Sequence, residues 1–332
     1  MSVAQPHPLL EIRNLEKVYQ LNSGLLQRIA RQPPLSLRAV DKVTFSVKAG
    51  ETLGLIGESG CGKSTLARTV LRLHEPTGGS ITFDGTDITK LPQKDMTALR
   101  RRMQIIFQDP YASLNPRKSV EDIVGLPLAL HGLAHRREIR DRVVAMLESV
   151  GLKTAHLGRF PHQFSGGQRQ RIGIARALIL NPSFVVCDEP VSALDVSVQA
   201  QIIALLESLK RELGLTYLFI SHDIGVIGHV SDRIAVMYLG DIVEIGPARE
   251  LLREPKHPYT KALLSAVPQI DAGAKRERVK LTGDLPSPLA PPPGCKFHTR
   301  CPFAVDRCRR QVPALRNVGS DRTAACHLVD AA

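Results

Sequence analysis

The sequence predicts an α/β protein: a parallel sheet flanked by helices, with an all-helical insertion and a small cysteine-containing module at the C-terminal end. Three observations predict it. Short β-rich runs alternate with helical patterns, as strand–helix–strand units do. Residues 109 to about 164 carry helical patterns and no convincing strand. Past residues 250 to 270 the composition turns basic and proline-rich, with LPSPLAPPPG at 285–294. A chain of 332 residues exceeds the usual single-core size, so a large domain with a smaller appendage is expected.

In chain order, the first predicted strand is TLGLIG (52–57), followed by a helix through TLARTVLRLH (65–74). MQIIFQ (103–108) is the next strand, and the insertion follows with VEDIVGLPLALH and RREIRDRVVAMLESVGL as helices. FVVCDE (184–189), a helix through VQAQIIALLESLKREL (198–213), TYLFIS (216–221) and RIAVMYLG (233–240) complete the pattern. The middle three strands are four or five apolar residues closed by a polar group, as in a strand buried on both faces. Ligands of open α/β sheets gather at the carboxyl ends of strands. The groups closing these runs are Gly57, Gln108, Asp188, Glu189 and His222, which together define a candidate nucleotide site. No internal repeat is visible.

Hydrophobic residues at 43% and charged residues at 23% form an ordinary globular balance, which excludes wholesale disorder. The formal charge of +12 points to an anionic partner: nucleic acid, acidic lipid or nucleotide. From Lys275 onward, eleven Lys/Arg face five Asp/Glu, so half of that excess lies in the last 58 residues. No apolar stretch approaches the roughly 18 to 20 residues that span a bilayer. The first residues lack a basic start followed by an apolar core. A cytosolic protein is expected, reaching any membrane through a partner, with its six cysteines reduced.

GESGCGKST (57–65) fits the pattern G-x-x-x-x-G-K-[ST]. Its residues Gly57, Glu58, Ser59, Gly60, Cys61, Gly62, Lys63, Ser64 and Thr65 form a phosphate-binding loop between a strand and a helix. The glycines let backbone N–H groups turn inward, Lys63 supplies a charge to the β and γ phosphates, and the Ser64 hydroxyl can ligate magnesium. The helix from Thr65 aims its positive end at the anion. Cys61 reads either as a small residue that fits or as a reactive thiol.

Asp188 and Glu189 close an apolar strand, where one carboxylate suits magnesium and a second can polarise an attacking water. Gln108 is placed to reach magnesium or that water, and His222 to contact the γ-phosphate. FSGGQRQR (164–171) precedes the helical run IGIARALIL. Ser165, Gly166 and Gly167 therefore present N–H groups and a hydroxyl at a helix start, a second anion site. One mononucleotide does not need two such sites, so this turn is expected to bind a nucleotide held by another copy.

The order GESGCGKST, FQ, FSGGQ, VVCDEP, SALD, SHD resembles ATP-binding-cassette (ABC) ATPases across residues 9 to about 250. The resemblance implies a P-loop NTPase fold with a helical subdomain at about 109–164 and a nucleotide-binding domain over 9–255. It implies that Tyr19 stacks on adenine and that Ser165, Gly166, Gly167 and Gln168 close on ATP across a head-to-tail dimer. Glu189 would be the general base, Ser64, Gln108 and Asp188 magnesium ligands, and His222 the switch. Asp195 in the SALD stretch would link the two sites, and Phe164 stands where the family usually has Leu. FQDPYASLNPR (107–117), DEPVSALDVSVQAQ (188–201), KHPYTKALLSAVP (256–268) and LPSPLAPPPGCKFHTRCP (285–302) narrow the resemblance to ATPase subunits of bacterial dipeptide/oligopeptide importers. Such a subunit would energise peptide uptake from the cytoplasmic side of the inner membrane, as the second ATPase of a dipeptide-type system. Its partners would be a second ATPase, two permeases and an extracytoplasmic binding protein, with no nucleic acid. The other reading of the charge is a non-transport ABC ATPase acting on nucleic acid or ribosomes. No zinc finger, coiled-coil insertion or second cassette encourages it. A P-loop kinase would have no use for the SGGQ turn.

Cys295, Cys301, Cys308 and Cys326 are spaced C-x5-C-x6-C-x17-C. In a reducing compartment this points to metal, although structural zinc usually recruits C-x2-C pairs, and none occurs here. A wider iron–sulfur cluster, zinc, or unligated thiols are the three readings. The resemblance to importer ATPases with a cysteine-bearing tail (256–332) implies a 4Fe–4S cluster. Cys187 reads as core.

Overall fold

The computed structural model describes residues 7–21, 35–266, 283–319 and 321–329. The basic run at 275–282 and the last two residues of KHPYTKALLSAVP lie outside the described residues. Two compact units form, one from residues 1–46, 53–89 and 222–332, the other from 47–52 and 90–221.

The first unit contains two sheets. Strands β1 (Leu10–Leu21), β2 (Leu35–Val47), β4 (Gly78–Phe83) and β5 (Thr86–Asp87) form a four-stranded sheet in the order β2-β1-β4-β5, antiparallel from β1 through β4 to β5. β1 pairs with β4 through Leu10↔Phe83 and Ile12↔Ile81, four fully buried side chains that fix the register. In the second sheet, β3 (Thr52–Ile56) runs parallel to β9 (Arg233–Tyr238), from Leu53↔Arg233 to Ile56↔Val236. β10 (Asp241–Pro247) returns antiparallel to β9, and β12 (Arg322–Ala324) and β11 (Arg316–Gly319) extend that edge. Glu244 on β10 is fully buried and accepts from Arg322 at 2.7 Å. It also accepts from the backbone N–H groups of Lys256 and His257, both at 2.9 Å. A buried carboxylate persists only with such partners, so the C-terminal strand neutralises a charge that β10 could not carry alone.

In the second unit, β6 (Met103–Ile106), β7 (Phe184–Asp188) and β8 (Thr216–Ile220) are parallel, with registers Met103↔Phe184 and Val185↔Tyr217. Every residue of β7 and β8 is buried, which accounts for their unbroken apolar sequence. After α2 (Gln93–Arg100), the stretch read as a helical insertion holds three helices: α3 (Pro110–Ser113), α4 (Val120–Leu130) and α5 (Arg136–Ser149). Short 3-10 turns at Thr154–His156 and Pro161–Gln163 then lead to α6 (Gly166–Leu178). Ser119 caps α4 by accepting from Asp122 N at 3.1 Å, and Glu121 and Asp122 complement the helix dipole. α7 (Val196–Leu213) ends at Gly214 in the left-handed conformation. Among the described residues no helix is long and apolar enough to cross a membrane.

Candidate nucleotide site

The phosphate loop follows β3 and runs into α1 (Lys63–Val70). Gly62 is the N-cap at φ 110°, and a Cβ there would stand 2.1 Å from the carbonyl oxygen of Ala39. Gly57 is equally confined, its hypothetical Cβ 2.2 Å from Met237 O. Only glycine fits where strand, loop and neighbouring backbone come this close. Lys63 is buried, and its ammonium is held inside the loop by Gly57 O at 2.7 Å and Glu58 O at 3.0 Å. The cation is thus docked on the loop carbonyls at the start of α1. An anion at the helix start meets that charge together with the dipole. Ser64 and Thr65 are half-buried at the first turn, and Ser59 and Gly60 are exposed at the loop tip.

Cys61 is 1% exposed, and burial pushes its thiol above the ordinary range, so at neutral pH it is a protonated spacer and not a nucleophile. Cys187 behaves likewise in β7, its pKa raised by full burial. Tyr19, also in the first unit, is half-buried with its hydroxyl 2.5 Å from His74 Nδ1 and Lys17 Nζ 4.9 Å above its ring. Burial, with the charges of Arg68 and Lys17, holds His74 below the usual imidazole range. His222 is exposed immediately before α8 (Ile224–Val230), which Asp223 caps through Gly225 N at 2.8 Å and Val226 N at 3.2 Å.

The carboxylates belong to the second unit. Asp188 ends β7 and is 2% exposed. Glu189 follows at φ 48°, a left-handed conformation rare for a side chain of this kind. Its backbone N–H donates to Ile220 O at 3.0 Å, and its carbonyl accepts from Ser192 Oγ at 3.1 Å. The turn is therefore fixed from both sides. Gln108 Nε2 donates to Glu189 Oε2 at 2.9 Å, so the carboxamide aligns the carboxylate directly. The sequence reading gave each a separate task; the structure pairs them.

The SGGQ stretch forms the start of α6. Ser165 caps α6 in a reciprocal box: Gln168 N donates to Ser165 Oγ at 3.4 Å and Ser165 N to Gln168 Oε1 at 3.1 Å. Gly167 abuts α7, where a Cβ would lie 2.5 Å from Val198 Cγ1. Phe164 is 4% exposed and meets His156 edge-on at 5.3 Å. Asp195 is the exposed N-cap of α7, without a side-chain capping bond.

The metal expectation for Cys295, Cys301, Cys308 and Cys326 is not supported. Among the described residues no three or more His, Cys, Asp or Glu side chains are arranged to hold a metal ion. Burial pushes Cys295 up to about 11 and raises Cys301 and Cys326 too, and the other thiols add to each rise. Sequence reasoning also missed Arg300 and Tyr259, which bind Glu58 in the phosphate loop: Arg300 at 2.8 and 3.1 Å, and the Tyr259 hydroxyl at 2.9 Å from Glu58 N. Both lie in stretches read only as family markers, and no local spacing signals a contact across 242 and 201 residues.

Comparison with known proteins finds relatives over nearly the whole chain. The family "ABC transporter" matches residues 40–192, and "Oligopeptide/dipeptide transporter, C-terminal region" matches 243–308. The chain is 51% identical to the oligopeptide transport ATP-binding protein AppF of Bacillus subtilis (strain 168), covering 99% of both chains. It is 52% identical to the putative oligopeptide transport ATP-binding protein YkfD of the same organism, over 97% of this chain and 95% of that one. The dimeric post-hydrolysis ATP-binding cassette MJ0796 bound to ADP and Pi superposes with a TM-score of 0.63 at 30% identity, covering 72% of this chain and 99% of that one. On the two family matches and on relatives 51% and 52% identical over nearly the whole chain, the chain belongs to the ABC transporter family, as an ATP-binding subunit of its oligopeptide/dipeptide branch.

Proposed function

We propose that this subunit hydrolyses ATP to drive peptide uptake, working at the cytoplasmic face of the membrane. Its partners in this reading are a second ATPase subunit, two permeases and an extracytoplasmic peptide-binding protein. The observation that carries the reading is the presence of two glycine-bearing helix starts in one chain, at Gly62–Lys63 and at Ser165–Gly166. A second copy or paralogue supplies the complement, so ATP is gripped by the first turn of one subunit and capped by the second turn of its neighbour. The dimeric cassettes among the structural relatives support that arrangement. We take 9–255 as the nucleotide-binding domain, with the helical insertion as its contact to the permeases, and 256–332 as the transporter-type C-terminal module.

Within this reading Lys63 and the loop N–H groups bind the phosphates, and Tyr19 carries the adenine. Ser64, Gln108 and Asp188 are hard oxygen donors of the kind magnesium selects, and the ion when bound would neutralise phosphate charge. Glu189 takes the proton of the attacking water, with Gln108 fixing its carboxylate, and His222 contacts the γ-phosphate. Asp195 relays between paired sites.

Replacing Lys63 by Ala should abolish ATP binding. Glu189→Gln should retain binding and lower turnover by roughly 10²–10⁴-fold. Cells dependent on this subunit should lose uptake of labelled di- and oligopeptides with either variant. Uptake that survives Glu189→Gln would remove the subunit from the energising role.

A further inference from the structure

Glu58 is the second residue of the phosphate loop, and every one of its polar groups is already engaged. Its backbone N–H donates to the Tyr259 hydroxyl at 2.9 Å. Its carbonyl accepts from Lys63 Nζ at 3.0 Å. Its carboxylate receives Arg300 in a two-pronged pair, at 2.8 and 3.1 Å. Tyr259 is fully buried and Arg300 is 8% exposed, so neither is a mobile surface contact.

Both partners are themselves braced. Tyr259 packs on Tyr238 at 4.7 Å and on Phe297 at 5.4 Å between ring centres, and its N–H donates to His257 Nδ1 at 3.0 Å. Lys296 anchors the segment before Arg300 by bridging Asp41 and Asp241 at 2.8 and 2.9 Å. A carboxylate in a loop that receives a triphosphate repels its ligand unless a cation compensates it. A bidentate guanidinium does this and also fixes the plane of the group.

We propose that Arg300 and Tyr259 are positioning residues for ATP: from the C-terminal region they neutralise and orient Glu58, and through its carbonyl they hold Lys63 in the phosphate-ready place. The C-terminal segment is on this account part of the nucleotide site. The proposal rests on the reading that this loop binds ATP.

The test uses the full chain and three measurements: ATP affinity by a fluorescent analogue, KM against kcat for hydrolysis, and thermal melting. Arg300→Gln should weaken ATP affinity and raise KM by about tenfold or more, with kcat changed less than threefold, because only the ground-state cradle is disturbed. Removing the opposing charge as well, in Glu58→Gln/Arg300→Gln, should recover most of the affinity, and Arg300→Lys should be intermediate. Equal weakening in the single and double variants would overturn the charge-compensation role. Unchanged affinity and KM in Arg300→Gln, beside a Lys63→Ala control that has lost ATP, would overturn the proposal alone. A Lys63→Ala chain that still binds ATP would overturn the loop reading and this proposal with it. Should Arg300→Gln melt too low to measure, Tyr259→Phe removes only the acceptor for Glu58 N. It must then show the same KM-selective loss, and a normal KM would refute the proposal.

Discussion

Glu189 sits where backbone strain and chemistry coincide. A non-glycine residue in the left-handed region costs roughly 1–2 kcal/mol, and here the turn is locked by Ile220 O and Ser192. The strain points the carboxylate at Gln108 and not along the strand into the core, where Asp188 already lies buried. Comparing Glu189→Gly with Glu189→Ala isolates the backbone, since both lack the carboxylate and its bond to Gln108. The glycine variant should be more stable by about 1 kcal/mol in denaturant unfolding, with turnover lowered equally in both. Equal midpoints would mean that the left-handed turn is relaxed.

At the scale of elements, the serine–glycine turn is useful only if α6 starts flush against α7. Gly167 permits this, because a methyl group there collides with Val198. Gly167→Ala should therefore push the helices apart and cost about 1–3 kcal/mol, the usual range for overpacking. Adding Val198→Ala should recover most of that loss, and a double-mutant cycle gives the coupling directly. If the two losses simply add, the helices are not in the contact described. The same packing logic decides what was legible in the sequence. β7 and β8 are buried on both faces and show as unbroken apolar runs, so their boundaries fall within one residue of expectation. β1 and β2 were not anticipated. Their half-exposed faces admit Glu, Arg, Asn and Lys, which dilutes the alternation. β12 pairs with β10 across an 80-residue separation, Glu244 to Ala324, and only three dimensions reveal why Glu244 can be buried. The site motifs were legible because their chemistry is local: glycines for close approach, lysine for charge, serine for a cap. The Gln108–Glu189 and Arg300–Glu58 contacts were not, because each joins distant segments. The metal expectation for the four cysteines finds no support among the described residues, because spacing along the chain does not by itself fix how thiols group in space.

At the scale of the whole chain, acid should act on the C-terminal region through His257. This imidazole is 1% exposed, accepts from Tyr259 N and stacks obliquely on Phe297 at 5.8 Å. Burial pulls its pKa down to about 3 from an ordinary 6.5. The folded protein therefore keeps His257 neutral at pH values where the unfolded chain has already taken up a proton. Because the unfolded state binds more protons between those two values, stability rises with pH across that window and levels off above 6.5. Each pH unit inside the window contributes about 1 kcal/mol. Other groups titrate there as well, so the measurement is a difference. Asparagine can still accept from Tyr259 N but does not protonate, so His257→Asn should be less stable than the parent at pH 7.5 yet lose less on acidification to pH 5. Unfolding curves in urea at the two pH values give that difference, and parallel losses in both chains would show that His257 is not the group that titrates. Since the folded chain keeps His257 neutral well below pH 5, its bond from Tyr259 N, and with it the hold of Tyr259 on Glu58, should persist at that pH, so the difference between parent and asparagine variant should appear in the unfolding curves and not in the ATP affinity of the folded chain.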